Sequence, residues 1–303
     1  MDQPANPRAA ALWMLGSILS FSAMIIGGRE VSSVHDSFEI MAVRSVIGLV
    51  LVLVIGAGLG RLGDLRTDRL GGHVLRNMVH FTGQNLWFMA IAAIPLAQVV
   101  AIEFTSPVWV ILLAPLVIGE KLTRVRLIAA GLGLVGTMIV SRPDITNLDP
   151  GIMAAAGSAV FFALTALLTK RLTKGEPILS ILIWLTVMQS VLGIAASFID
   201  GDVAWPTAQT LPWLGLIGVT GVLAHLCLTT ALSLAPAGYV MPLDFLRLPL
   251  VAGLGAWFYA EALDIWVLVG AAVIFLGIGL NLRAGLRAGG PGSKSNKITP
   301  PKS

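Results

Sequence analysis

Leu75-Arg76-Asn77-Met78-Val79-His80-Phe81-Thr82-Gly83-Gln84 opens the stretch whose reading decides the fold, Leu75–Arg142. This polar-studded apolar run turns at Ile94-Pro95. A second run carries Glu103 and closes at Gly119-Glu120-Lys121, and a glycine-rich apolar run continues to Arg142. Much of the first half of the chain recurs 141 residues further on. Without a gap, Gly16, Ser17 and Phe21 fall on Gly157, Ser158 and Phe162; Pro95 falls on Pro236, and Glu103 on Asp244. Glu120 and Leu122 fall on Glu261 and Leu263, and Gly136 and Arg142 on Gly277 and Arg283. The chain therefore reads as two copies of one unit, residues 1–142 and 150–283.

Outside that stretch the chain stays apolar. Hydrophobic residues make up 56% of the 303 and charged residues 12%, far from the roughly 25% charged residues of a soluble domain. With a mean hydropathy of +0.87, an integral membrane protein in the lipid bilayer is expected. The formal charge of +4 would suit nucleic acid, but the basic residues sit in short turns rather than in a stripe with interleaved aromatics, so nucleic acid is not expected as a partner. The single cysteine, Cys227, lies in an apolar run and reads as packing. It allows no intrachain disulfide and no Cys-based metal site.

A helix needs about 20 apolar residues to cross roughly 30 Å of hydrocarbon. Runs of that length fall near 9–28, 37–58, 72–93, 96–118, 124–141, 151–172, 178–199, 211–234, 237–260 and 263–283. These are ten expected helices, because each run is continuously apolar, too long for a barrel strand, and must pair its backbone internally in lipid. The first run is longer than a signal-peptide core and reads as a retained helix. Turns are expected at Arg142-Pro143-Asp144, Gly175-Glu176-Pro177, Asp200-Gly201-Asp202 and Ala235-Pro236. The second helix of each copy matches only when the offset becomes 145, pairing Arg44-Ser45 and Gly48 with Gln189-Ser190 and Gly193. Residues 284–303, rich in Gly, Pro, Ser and Lys, read as a disordered basic cytoplasmic tail.

Loop charge sets orientation. With the N-terminus in the cytoplasm, the inner side collects Arg8, Arg61, Arg66, Arg69, Arg76, Lys121, Arg124, Arg126, Lys170, Arg171, Lys174 and the tail residues Arg283, Arg287, Lys294, Lys297 and Lys302. The outer side has Arg29 and Arg142. Both termini are then cytoplasmic in a multi-pass protein of the cell membrane. Since each copy has an odd number of spans, the second enters the membrane inverted, the plan of many secondary transporters.

Ala90-X-X-X-Ile94-Pro95-Leu96-Ala97, then Gly119-Glu120-Lys121-Leu122-Thr123, then Gly131, Gly133 and Gly136, resemble the EamA-type unit of the drug/metabolite transporter superfamily. The second copy is similar at Ala231–Gly238, Tyr259-Ala260-Glu261 and Gly277–Gly279, although Glu261-Ala262-Leu263-Asp264 departs from the basic turn of the first. The resemblance covers the chain up to Arg283. It implies ten helices, two five-helix halves around a central cavity, and carrier-type movement of small metabolites, often outward. Within the superfamily the chain most resembles amino-acid exporters of the YddG type.

Depth points to a site. At 1.5 Å per residue Glu103 lies about 10–12 Å inside its helix and Asp244 equally deep from the other side, while Gln84 and its repeat mate His225 lie about 15 Å deep. Ionisable groups there cost about 2.5–3.5 kcal/mol each on insertion scales, so they are expected to face a partner, water or a functional site. Two readings stand for each. Asp244 and Arg247, three apart, could neutralise each other; Glu103 could bind solute or pair with Arg44 or Arg247; His80 and Gln84 could bind solute or bond to a neighbouring helix. The expected substrate-binding set is His80, Gln84, Trp87, Glu103, Asp244 and Arg247, with Arg44, Trp109, Gln189 and His225 in second rank. His225 alone reads as packing, and Arg44 could snorkel outward. Trp13, Trp205, Trp213, Trp257 and Trp266 read as an interfacial belt. Gly131, Gly133 and Gly136 read as close helix approach.

No G-x-x-x-x-G-K-[ST], H-E-x-x-H, nucleophile elbow or Cys pair occurs. Neither ATP hydrolysis nor enzyme chemistry has an anchor, and no cofactor or metal is expected. The expected function is secondary or facilitated transport, by alternating access, of small polar metabolites, amino acids first, with export the expected direction. A nucleotide sugar, nucleobase or vitamin is the alternative solute. A channel or a membrane-embedded enzyme is the alternative from another class.

Overall fold

A computed structural model describes residues 6–61, 63, 67–120, 122–141, 149–198, 203–260 and 265–288. Arg66, Lys121, Arg142–Asp144, Asp200–Asp202, Glu261–Asp264 and the tail beyond Ala288 lie outside the described residues. The described residues are helical and include no strand. The helices are α1 Pro7–Val31, α2 Ser37–Gly58, α3 Leu70–Ala93, α4 Leu96–Glu103, α5 Ser106–Ile118 and α6 Arg124–Ser141. They continue with α7 Pro150–Leu172, α8 Ile178–Ser197, α9 Leu211–Leu234, α10 Ala237–Val240, a 3-10 segment Met241–Leu246, α11 Arg247–Tyr259 and α12 Ile265–Ala288. Helix α12 thus runs past Arg283, where the tail was expected to begin.

Among the described residues, six helical stretches are long and apolar enough to cross a membrane: α1, α2, α7, α8, α9 and Ala237–Tyr259. Helix α3 has the length but carries His73, Arg76, Asn77, His80, Gln84 and Asn85, all buried. The run expected as one helix over 96–118 is divided, because Pro107 has no N–H to give the preceding turn and its ring opposes the carbonyl of Glu103, four residues back. The run over 237–260 is divided too, its middle turn tightening to 3-10 at Pro242.

Packing follows the repeat. Helix α1 lies along α9 and α3 along α7, while α2 pairs with α8 and α6 with α12. Moving every helix by one repeat turns the first two pairings into each other and leaves the last two unchanged. The contacts obey the same offset. A Cβ on Gly16 would stand 2.8 Å from Cys227 Sγ, and one on Gly157 would stand 3.2 Å from Leu86, the mate of Cys227. Cys227 therefore packs, as expected.

Helices α6 and α12 run antiparallel. A Cβ on Gly136 would meet Gly270 O at 2.6 Å, and one on Gly277 would meet Ala129 O at 2.8 Å. So do α2 and α8, where Gly48 faces Thr186 and Gly193 faces the backbone of Ala42. Gly133 admits the ring of Phe245, whereas Gly131 meets nothing within 4 Å among the described residues. The outer surface is apolar, with Leu12, Leu19, Val54, Leu116 and Leu276 exposed, as suits a protein surrounded by lipid.

One end of the bundle is tied by Lys170, whose ammonium donates to Leu232 O and Ala235 O at the end of α9 (2.5 and 2.9 Å), while Asn6 N donates to Leu234 O (2.9 Å). Glu120, held by Arg126 at 3.3 Å, accepts from Ala237 N at the start of α10 (3.0 Å). At the opposite end His35 joins Glu39 (3.3 Å) to Thr210 (3.0 Å), and Glu39 also accepts from Ala204 N.

Candidate functional site

The breaks in the two divided helices face each other across the bundle centre. Glu103 ends α4 and Arg247 begins α11, three residues after Asp244. Arg247 Nη2 donates to Glu103 Oε1 at 2.5 Å and to Asp244 Oδ2 at 2.6 Å. Trp87 Nε1, on α3, donates to the other oxygen of Glu103 at 2.7 Å. The guanidinium also lies over two rings, 5.3 Å from the centroid of Phe21 and 5.4 Å from that of Phe104. Two carboxylates thus share one cation, and Asp244 Oδ1 and Arg247 Nε have no partner among the described residues. Ending a helix at this depth frees backbone groups, which membrane proteins tolerate only inside protein or beside a cavity.

The triad borders such a cavity. Its walls include Phe21, Arg76, His80, Gln84, Trp87, Phe104, Phe162, Thr169 and His225. Arg76, His80, Gln84 and Trp87 recur at helical spacing on α3, so one face of that helix supplies a wall. Six repeat-related pairs meet at the cavity, among them Phe21 with Phe162, Gln84 with His225, and Glu103 with Asp244. The cavity volume is about 60 Å³, room for a few waters and well below the roughly 300–1,000 Å³ of a small-molecule pocket. A metabolite enters only if the surrounding helices move.

All six first-rank residues line this cavity. Glu103 pairs with Arg247 rather than Arg44, so the cross-helix pairing is made, and Asp244 and Arg247 do neutralise each other. Among the described residues, His80 and Gln84 make no bond to a neighbouring helix. His80 stands edge-on to His225 with ring centroids 4.8 Å apart, both ring nitrogens of each are unpartnered, and Gln84 Nε2 is unpartnered as well.

Three expectations need correction. Trp109 is 40% exposed on the outside of α5, away from the cavity. Arg44 does not snorkel outward; it is 5% exposed, with its Nε against Gly221 of α9. Arg76 is no loop residue: lying six residues into α3, it is 1% exposed and on the cavity wall. His225, named in second rank, lines the cavity. Gln189, of second rank, donates to Asn77 O at 2.8 Å beside a smaller cavity that it shares with Arg44 and His225.

Phe21, Phe104, Phe162 and Thr169 also line the main cavity without having been singled out. For Phe21 and Phe162 a signal existed, since the same aromatic recurs at the repeat offset within an apolar run. Among the described residues, no group of three or more His, Cys, Asp or Glu side chains is placed to hold a metal. What the site can do chemically is bind: rings for a flat apolar face, and a few buried polar groups for orientation.

The model of the EamA-like transporter family matches the chain twice, at residues 8–142 and 149–283. A protein named as a riboflavin transporter, from Vibrio cholerae, is 29% identical over 90% of this chain and 92% of its own length. One named as an S-adenosylmethionine uptake transporter, from Rickettsia bellii, is 26% identical over 86% of this chain and 89% of its own. A solved crystal structure superposes with a TM-score of 0.77 at 18% identity, covering 92% of this chain and 98% of that one. The fold is shared with that structure.

Proposed function

The chain belongs to the EamA-like transporter family, and from that premise we propose that it is a secondary carrier moving one small solute across the cell membrane by alternating access. Its ten spans form two five-helix copies, residues 1–142 and 150–283, with the second inverted. Support for the inversion comes from the repeat mates α2 and α8, and α6 and α12, which run antiparallel. Both termini are cytoplasmic, in keeping with the gathering of Arg69, Arg126 and Lys170 at the end that holds Asn6. A cysteine introduced at Asp202, in a Cys227→Ser background, should label from outside and one at Lys297 only from inside. Labelling of both from one side would reject the ten-span arrangement.

The observation that carries the site is the cavity at the two helix breaks, where Trp87, Glu103, Asp244 and Arg247 meet beside His80 and Gln84. Its walls favour a flat, hydrogen-bonding solute. Phe21, Trp87, Phe104 and Phe162 offer faces for stacking. The names of the relatives favour the same class, so a riboflavin-like vitamin is the leading solute.

An amino acid is the second reading. The triad holds both signs of charge, but Arg247 already spends its guanidinium on two carboxylates. Counterflow in proteoliposomes separates the two. Internal riboflavin should accelerate entry of labelled riboflavin, and internal free amino acids should not. Counterflow of amino acids that disappears when their amino group is acetylated would install the second reading. Flux that never saturates would indicate a channel.

A further inference from the structure

At the other end of the cavity the charges are of one sign. Arg76 and Trp87 lie on the same face of α3, 11 residues apart, which is about 16 Å along the helix. Arg76 donates to two neutral oxygens, Thr169 Oγ1 at 3.1 Å and Asn77 Oδ1 at 3.0 Å. Among the described residues Arg44 has only Met41 Sδ at 3.4 Å, and its Nε is unpartnered. Neither guanidinium has a carboxylate within salt-bridge distance among the described residues, and both are buried. The two are joined by space as well as by sign. Arg76 lines the central cavity and Arg44 the smaller one beside it, while His225 lines both. His225 packs edge-on against His80.

Buried like charges repel in a medium of low dielectric, and a negative group between them turns that repulsion into attraction. The donors suit an oxyanion. A guanidinium presents paired N–H groups that match the two oxygens of a carboxylate or phosphate. A neutral imidazole can add one N–H, and the Thr169 hydroxyl another donor. We propose that Arg44, Arg76 and His225 form an oxyanion-binding subsite, separate from the Arg247 triad, that takes a carboxylate or phosphate group. That group belongs either to the far end of the transported solute or to a free ion bound beside it.

Thermal unfolding of the full-length protein in detergent tests this, with sodium HEPES as the bulky-anion reference at constant ionic strength. Sodium phosphate or acetate should raise the Tm saturably, by about 2–4 °C, and chloride should not. The rise should vanish in Arg76→Gln and Arg44→Gln. A response to inorganic phosphate identifies a free ion as the occupant. A response to riboflavin 5′-phosphate, with none to riboflavin or to inorganic phosphate, identifies an anionic group on the solute. No saturable rise with any of these oxyanions, a rise equalled by chloride, or a rise undiminished in both variants would overturn the subsite. Should a glutamine variant fail to fold, the titrations of the unmodified protein still decide, and Arg76→Lys, which keeps the charge without the paired N–H groups, should weaken the response. Because the readout is binding, a negative result leaves the carrier reading intact.

Discussion

The two ends of the central cavity handle buried charge in opposite ways. Where α4 and α11 end, Arg247 is held by two carboxylates, two aromatic faces and, through Glu103, the indole of Trp87. On the unbroken helices α2, α3 and α9, Arg44, Arg76, His80 and His225 face shared space with no carboxylate among them. The first end is a closed circuit of charge that a solute must compete with or rearrange. The second is open to a group from outside the protein.

The largest expected effect falls at the closed end. Arg247→Met leaves Glu103 and Asp244 buried without their cation, and breaking such a set costs about 3–5 kcal/mol. A steep fall in Tm or in yield of monodisperse protein is expected. An unchanged Tm would show that the carboxylates do not depend on Arg247. Glu103→Gln is milder, since Asp244 still holds Arg247 and the amide oxygen still accepts from Trp87. Loss of a bond to a charged group predicts about 1.5–3 kcal/mol, together with reduced flux in proteoliposomes. Full flux in a folded variant would remove Glu103 from the transport site.

Arg76→Gln probes the open end. It removes one of two repelling charges along with two hydrogen bonds, and the opposing changes leave stability within about 1 kcal/mol of the parent. Destabilisation as large as that of Arg247→Met would erase the distinction between the ends. The smallest effect compares the two copies. Gly119 caps α5 in the left-handed region at φ 71°, and Ala260, its repeat mate, caps α11 at φ 53°. A left-handed Ala is strained where Gly is not, so Ala260→Gly should stabilise by about 0.5–1 kcal/mol, read as a small rise in Tm.

Glu103 and Asp244 were legible in the sequence as buried carboxylates, because an ionisable residue deep in an apolar run has few places to go. His80 and Gln84 were legible through their spacing on one helical face. Arg76 was not. Counting Lys and Arg near helix ends cannot separate a loop arginine from one six residues inside, because both lie close to the same end in sequence. Phe104 recurs as Phe245 at the repeat offset, as Phe21 recurs as Phe162, whereas Thr169 carried no signal, since a threonine in an apolar run suits a packed helix as well as a cavity wall.

The sequence by itself determined that the chain is apolar and helical and that its first half recurs in its second, since composition, run length and a constant offset are properties of order along the chain. Only the tertiary structure decided that both acids meet on Arg247, that Trp109 faces outward, and that Arg44 and Arg76 look into adjoining space. The physical reason is that the direction a side chain takes around a helix acquires meaning only from the helix packed beside it. In a chain apolar on nearly every face, periodicity does not choose that neighbour; close approaches such as Gly136 against Gly270 do.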